Sequence, residues 1–401
     1  MIKTGQEAFY MEEKIVFKKG TYQLNRDPNY NFQLNRVINW NDGELSDIES
    51  IAEKITDSAS WKKELILLGD KAMEEGRTKN AIAYYRMSEF FMYDNDRDKL
   101  KYYRLATKLF YEYYDDYFKS GKVERLSVPY EGIALPVMHT RAVGERKDTI
   151  LFHGGNDSYF EEFFFPMLYF AENGYEVYLF EGPGQGGVLR EQGKHFTYQW
   201  EKPVKAILDA LALNDVTIIG ASLGGMLAPR AAAFDNRIRR VIGWSIFPNF
   251  LSVGLYAVPK PLWGVMRWVI RHNLGFTVNR KLKGMMKKEQ TFDWAFRHGM
   301  YAYEAKTPFE YLKKLNNYQM VDVGSRIRQD VLVIGARKDH FIATELYKQE
   351  LDALINVRSL TFRLFTEQES AENHCNCGNS KLCFDTMMSW IDQIKKKDNE
   401  S

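Results

Sequence analysis

The residues best suited to covalent chemistry sit in Gly220-Ala221-Ser222-Leu223-Gly224. An alcohol is a weak nucleophile at neutral pH, so a reactive serine needs a base to take its proton and an acid to orient that base. The pentapeptide follows the apolar run Val216-Thr217-Ile218-Ile219 and opens a helix-compatible run from Leu223 to Phe234. Strand, sharp turn and helix in that order are the context of a nucleophile elbow. Such a turn strains the serine backbone, so the positions two before and two after must be small, and Gly220 and Gly224 meet that need.

Base and acid are sought downstream. Of the seven histidines, His139, His153 and His195 precede the serine, and His272 and His298 fall in the insertion between Phe247 and Val331. His340 directly follows the better acid candidate, Asp339, which comes a few residues after the run Val331-Leu332-Val333-Ile334-Gly335. His374 alone lies in a loop just after the last expected strand, Ser359–Phe365. The order Ser222, Asp339, His374 is that of α/β-hydrolases and differs from the orders in chymotrypsin and subtilisin. Acyl transfer also needs donors for the developing oxyanion. The strand Thr149–His153 ends in Gly154-Gly155-Asn156-Asp157, where bare backbone can turn its N–H groups toward a carbonyl. The amide of Gly155 or Asn156, with that of Leu223, is the expected oxyanion hole; losing one such donor typically costs about 3–4 kcal/mol. His153 is expected to shape this loop and not to move a proton.

These groups converge only if a sheet carries them. The chain has 401 residues, 45% hydrophobic and 27% charged, the balance of a globular protein of about two or three folding units. After Gly121 short β-branched or aromatic runs alternate with helical patterns. Val123–Val128 and Ile133–Thr140 read as a hairpin. Strands follow at Thr149–His153, Tyr175–Glu181, Val216–Gly220, Arg240–Phe247, Val331–Gly335 and Ser359–Phe365, with helices at Phe160–Asn173, Pro203–Leu213, Leu223–Phe234, Thr344–Leu354 and Leu382–Lys395. This alternation predicts an α/β fold with a mostly parallel, doubly wound sheet. From Phe247 to Val331 the alternation stops, which predicts a helical lid insertion over about 248–328. Residues 1–121 read as a helical N-terminal domain and 122–401 as the catalytic domain. Ser46-Asp47-Ile48-Glu49 is the pattern of a capping box. Gly69 to Phe91 has the look of one tetratricopeptide hairpin without a second copy. Nine tyrosines between Tyr84 and Tyr117 are expected to pack between helices, with an aromatic substrate site as the alternative.

Lys plus Arg (55) against Asp plus Glu (53) gives +2, so global charge makes no case for nucleic acid. From Asn236 to Lys288 there are eleven basic residues and no acidic one. That segment suits three roles: drawing an anionic substrate, touching a membrane surface, or forming a solvated lid paired with the acidic remainder, which is the default. Its apolar face, Leu255, Val258, Leu262, Trp263, Val265, Met266 and Trp268, could roof an apolar pocket. The uncharged stretch Val241–Pro259 contains Pro248, Asn249 and Pro259, and no membrane span is expected there. Met1 to Glu7 lacks a signal-peptide pattern. Three clustered cysteines, Cys375, Cys377 and Cys383, fit a reducing compartment, so the expected location is cytoplasmic. They are not expected to hold a metal, because adjacent His374 and Cys375 converge poorly on one tetrahedral ion. Gly182-x-Gly184-x-Gly186 lacks a P-loop lysine and reads as a turn. No cofactor is expected.

From Val123 to Lys395 the chain resembles an α/β-hydrolase. The helical first third, His153-Gly154-Gly155-Asn156 and Glu181-Gly182-Pro183-Gly184-Gln185-Gly186 narrow the resemblance to a subgroup. That subgroup includes 2,6-dihydropseudooxynicotine hydrolase, fungal polyketide-shortening hydrolases and FrsA-like esterases. The resemblance implies a helical domain packed over the hydrolase domain, and cleavage of an ester or of a carbon–carbon bond next to a ketone. It also implies Ser222, Asp339 and His374 as nucleophile, orienting acid and base, and a homodimer. Some members carry an extra carboxylate just after the oxyanion turn, which Asp157 matches. The Gly-x-Ser-x-Gly-Gly run is similar as well to prolyl-oligopeptidase-type acylaminoacyl peptidases, so a short acyl-peptide is the alternative to a small-molecule substrate. Those enzymes usually carry a β-propeller, for which the helical first 120 residues are too few. The alternative of another class is a non-catalytic ligand-binding protein of the same fold.

Overall fold

The computed structural model describes residues 15–245, 248–254, 261 and 263–400. Met1–Glu7, the Phe247 end of one expected strand, and Leu255, Val258, Pro259 and Leu262 of the insertion lie outside the described residues.

The chain begins with six helices: α1 (Pro28–Trp40), α2 (Leu45–Ala52), α3 (Ser58–Glu74), α4 (Thr78–Ser88), α5 (Arg97–Tyr113) and α6 (Asp115–Lys119). An aspartate caps three of them: Asp27 on α1, Asp57 on α3 and Asp96 on α5 each accept first-turn N–H groups. The capping box expected at Ser46 does not form. Helix α2 starts at Leu45 with Glu44 at the cap and no side-chain cap bond, because the Glu44 N–H donates to the Tyr84 hydroxyl of α4 and that contact sets where the helix begins. Helices α3 and α4 form the single expected hairpin, with the Tyr85 ring against Gly69 where no side chain would fit.

The sheet follows. Strands β1 (Glu124–Tyr130) and β2 (Ile133–Thr140) form the hairpin, then β3 (Asp148–His153), α7 (Phe164–Glu172), β4 (Tyr175–Phe180), α8 (Gly186–Arg190), α9 (Glu201–Ala210), β5 (Val216–Ala221), α10 (Gly224–Ala232) and β6 (Ile238–Trp244). Helices α11 (Phe250–Gly254), α12 (Trp263–Arg271), α13 (Gly275–Met286), α14 (Gln290–Ala302) and α15 (Pro308–Leu315) form the insertion. The chain returns through β7 (Asp330–Ala336), α16 (Glu345–Ala353), β8 (Ser359–Phe365) and α17 (Ser380–Glu400). The spatial order is β1-β2-β4-β3-β5-β6-β7-β8. Strands β1, β2 and β4 pair antiparallel, and every pairing from β4 to β8 is parallel.

Strands β3, β5 and β7 are buried along their whole length, which is why they read as unbroken apolar runs. Alternation then divides their side chains between two cores. Val216, Ile218, Val241, Val331 and Val333 join α9, α10 and the insertion. Ile219, Ala221, Ile242, Leu332 and Ile334 join α7 and α17. A third core gathers α1–α5 and takes in Tyr159 from the body and Trp294 from α14. The N-terminal helices, body and insertion therefore share buried apolar surface. Charge reinforces the junction. Glu89, at the C-terminal cap of α4, meets Lys99 at 2.8 Å, Arg190 at 2.7 Å and the Tyr159 hydroxyl at 2.6 Å. Burial would raise the Glu89 carboxyl, but Arg190 and Lys99 outweigh it and hold it at about 2.

Of the nine tyrosines, Tyr84, Tyr85, Tyr102, Tyr103 and Tyr114 are buried between helices, and none of the nine lines the cavity described below. No helix among the described residues is long and apolar enough to cross a membrane.

Candidate active site

Strand β5 ends at Ala221, and Ser222 stands in the turn into α10 with φ at +58°, in the left-handed region that side chains other than glycine avoid. Two hydrogen bonds hold it there: its N–H donates to the Trp244 carbonyl at 2.7 Å, and its carbonyl accepts from Gly225 at 2.8 Å. The small neighbours are obligatory. A Cβ at Gly220 would collide with the Gly224 carbonyl, and one at Gly155 would come within 2.7 Å of the Ser222 Cβ.

The ends of β7 and β8 bring the partners. Past β7, Asp339 is fixed by its Oδ1, which accepts from the N–H groups of Phe341 at 2.9 Å and Ile342 at 3.2 Å. Its Oδ2 lies 2.7 Å from His374 Nδ1. Past β8, a tight turn at His374–Asn376 presents His374, whose Nε2 lies 2.9 Å from Ser222 Oγ. That turn is pinned from below: the Cys375 N–H donates to Ser245 Oγ at 2.8 Å, and the Trp244 indole N–H donates to Asn376 Oδ1 at 2.9 Å. Burial alone would lower the His374 pKa. The Asp339 carboxylate, helped by Cys375, outweighs it and raises His374 well above the ordinary histidine value.

The turn after β3 completes the site. The Gly155 N–H donates to Ser158 Oγ at 2.9 Å, so of the two amides expected there Gly155's is engaged. Among the described residues the Asn156 and Leu223 amides have no intramolecular acceptor. His153 is locked: its Nδ1 lies 2.9 Å from the Gly154 carbonyl, and its Nε2 accepts from the Trp200 indole at 3.2 Å. Burial pushes its pKa down to about 4, so it stays neutral as a brace. Asp157 is partly exposed, lies 3.8 Å from Arg36 and lines the cavity.

Four residues that sequence reasoning passed over support this turn. Arg36 of α1 reaches across to Glu162 at 2.9 and 2.6 Å and to the Asp157 carbonyl at 3.2 Å. Gln185 donates to the carbonyls of Gly154 at 2.8 Å and Gly155 at 2.9 Å. Ser158 accepts from Gly155, and Tyr303 of the insertion donates to Asn156 Oδ1 at 2.8 Å. The turn Gly182–Gly186 was expected to be only a turn; Gln185 makes it the support of the neighbouring loop. A local signal existed for Gln185, inside a glycine-rich run after a strand. None existed for Arg36, 186 positions before the serine in a helix with no motif.

Ser222 and His374 open into a cavity of about 560 Å³ between α1, the body and α14–α15. Its wall combines aromatic side chains, including Phe32, Phe163, Phe250, Phe292, Trp294 and Phe341, with polar ones such as Gln33, Arg36, Asp157 and Glu289. The expected roof is corrected: none of Trp263, Val265, Met266 and Trp268 lines the cavity, whose wall on the insertion's side comes from Phe250, α14 and α15. Trp263 and Met266 pack inward against the core, but Val265 and Trp268 face solvent, because α12 turns its Trp263–Met266–Ile270 face to the protein. Cys375, Cys377 and Cys383 are all free and buried, and Cys375 also touches the cavity.

A family profile described as alpha/beta hydrolase fold matches residues 150–371. Among curated proteins the chain is similar to the hydrolase acrC of Aspergillus aculeatus, 26% identical over 82% of this chain and 83% of that one. It is also similar to the alpha/beta hydrolase psoB of Aspergillus fumigatus, 28% identical over 79% of this chain and 80% of that one. Among solved structures, 2,6-dihydroxy-pseudo-oxynicotine hydrolase superposes with a TM-score of 0.62 at 19% identity, covering 89% of this chain and 94% of that one.

Proposed function

The chain belongs to the alpha/beta hydrolase fold family, and from that premise we propose that it is a serine hydrolase acting on a carbonyl substrate with a bulky apolar body. One observation carries the reading: the unbroken relay of 2.9 Å from Ser222 Oγ to His374 Nε2 and 2.7 Å from His374 Nδ1 to Asp339 Oδ2, at the floor of an aromatic cavity.

The substrate carbonyl sits between Ser222 and the amides of Leu223 and Asn156. Ser222 Oγ attacks the carbonyl carbon while His374 Nε2 takes its proton, and Asp339 stabilises the imidazolium that forms. The oxyanion is held by the two amides until the tetrahedral adduct collapses. His374 gives its proton to the leaving group and then draws one from the water that releases the acyl group. An ester loses an alcohol, and a β-diketone-like substrate loses a carbon acid through an enolate-like transition state. A ligand-binding protein of this fold has no need of a serine held at a positive φ against a histidine–carboxylate pair. The homodimer rests on the resemblance alone, and the cytoplasmic setting on the three free, buried cysteines.

The test is intact mass after reaction with a fluorophosphonate, for the wild type and Ser222→Ala. A single adduct that disappears in the variant is expected. An adduct that persists in Ser222→Ala would overturn the nucleophile assignment, and the absence of any adduct on the folded wild type would count against an activated serine.

A further inference from the structure

Helices α12 and α13 turn apolar and cationic side chains to solvent together. On α12 the inward face is Trp263, Met266 and Ile270, which leaves Val265 and Trp268 outside at 56% and 54% exposure. After the turn at 272–274, Leu274 is 47% exposed and Phe276 is 86% exposed. Phe276, Arg280, Lys283 and Lys287 follow at helical spacing on the exposed side of α13, while Leu282 is buried. Burying apolar side chains is the ordinary outcome of folding, so four large ones left out around one turn mark a surface that meets something else.

The charge identifies what it meets. Arg267, Arg271, Arg280, Lys281, Lys283, Lys287 and Lys288 are all exposed. Among the described residues no carboxylate lies within ion-pair distance of any of them. The default expectation of a lid paired with the acidic remainder therefore fails here. Ahead of the insertion, in the same basic segment, Arg237 pairs with Asp235 and Asp209, and Arg240 of β6 with Asp148 and Asp215. A tryptophan and a phenylalanine flanked by unpaired cations, with no acidic residue from Asn236 to Lys288, complement a surface that is anionic at its edge and apolar beneath. A protein partner would need acidic groups and an apolar pocket shaped to these side chains, whereas a bilayer supplies both without shape matching.

We propose that the α12–α13 face docks this enzyme on anionic phospholipid bilayers, with Trp268 and Phe276 in the headgroup boundary and Arg280, Lys283 and Lys287 on the lipid phosphates. Helix α13 packs on α14 and α15, both of which line the active-site cavity, so docking places the substrate-binding part of the insertion next to the phase in which apolar carbonyl compounds dissolve.

The test is co-sedimentation of the purified protein with vesicles of phosphatidylcholine alone and of phosphatidylcholine containing a minority of phosphatidylserine. Three proteins are compared: wild type, Trp268→Ser with Phe276→Ser, and Arg280→Glu with Lys283→Glu. Melting temperature and turnover of a water-soluble ester serve as fold controls. Expected is binding to the anionic vesicles only, lost at high salt and weakened at least about tenfold in both variants, with the controls unchanged. Absence of binding by the wild type, or binding that both variants retain, would overturn the proposal. Self-association in light scattering that both variants abolish, without vesicle binding, would assign the face to a second copy of the chain instead.

Discussion

Next to Ser222 the groups of the relay and of the adjoining turn hold one another: His374 pairs with Asp339 and Ser222, Arg36 with Glu162, and Gln185 with two carbonyls of the turn. From α12 to the residues just past α13, seven cations stand without a carboxylate among the described residues, and four large apolar side chains face water. The first region has its relay and amide donors in place without a substrate, and preorganised donors act without reorganisation at the moment of reaction. The second holds its interaction energy in reserve for a surface outside the molecule. Substitutions in the two regions should accordingly differ in kind. Those near Ser222 strike catalysis, and those on α12–α13 leave it untouched.

The largest effect is expected at Ser222, the proposed nucleophile. Ser222→Ala should lower kcat/KM by about four to six orders of magnitude, with circular dichroism melting nearly unchanged. Asp339→Asn comes next, with a loss of about 10^4 in kcat. It also carries a pH signature. In the proposed mechanism His374 must be neutral, and the Asp339 carboxylate raises the His374 pKa well above its ordinary value. Wild-type kcat/KM should therefore climb as pH rises past neutrality, and the residual activity of Asp339→Asn should reach its plateau at lower pH. An unmoved acidic limb would separate His374 from the profile.

Arg36→Ala tests whether a residue of the N-terminal helices belongs functionally to the site. Removing it leaves Glu162 buried without its cation, a loss of about 3–5 kcal/mol in stability. It also frees the Asp157 carbonyl, and kcat should fall by up to about a hundredfold as the oxyanion turn loosens. Arg36→Lys, which keeps the charge but not the two-pronged contact with Glu162, should recover most of the stability and less of the rate.

A smaller effect is expected at Glu350, whose carboxyl is fully buried with neither oxygen hydrogen-bonded among the described residues. Burial raises its pKa to about 8. The folded state then binds a proton that the unfolded state releases between pH 4.5 and 8, so this residue lowers stability progressively across that window. Glu350→Gln should raise the melting temperature little at pH 5 and clearly at pH 9. The smallest change belongs to the other region: Trp268→Ser with Phe276→Ser should move melting by no more than about 0.5 kcal/mol and leave turnover of a water-soluble ester unaltered. A large loss of activity there would erase the contrast between the two regions.

The elbow and the strands that carry the relay could be read from the chain because their rules are local. A serine forced to positive φ demands glycine two residues to either side, and a strand buried on both faces demands a run of apolar residues. Even the order Ser222, Asp339, His374 follows from where three strands end. Other features depended on which distant groups arrive. Gly155's amide went to Ser158, Gln185 propped the turn, Tyr303 came down from the insertion, and Arg36 crossed from α1. Such contacts have no period and no fixed spacing, so a single sequence does not announce them. The Ser46 capping box failed for the same reason, since a tyrosine 38 positions away claimed the backbone at Glu44. The composition of α12 likewise said that it would be amphipathic. Only packing decided that Trp263 and Met266 would face the core and Val265 and Trp268 the solvent, because either stripe is apolar enough to be the buried one.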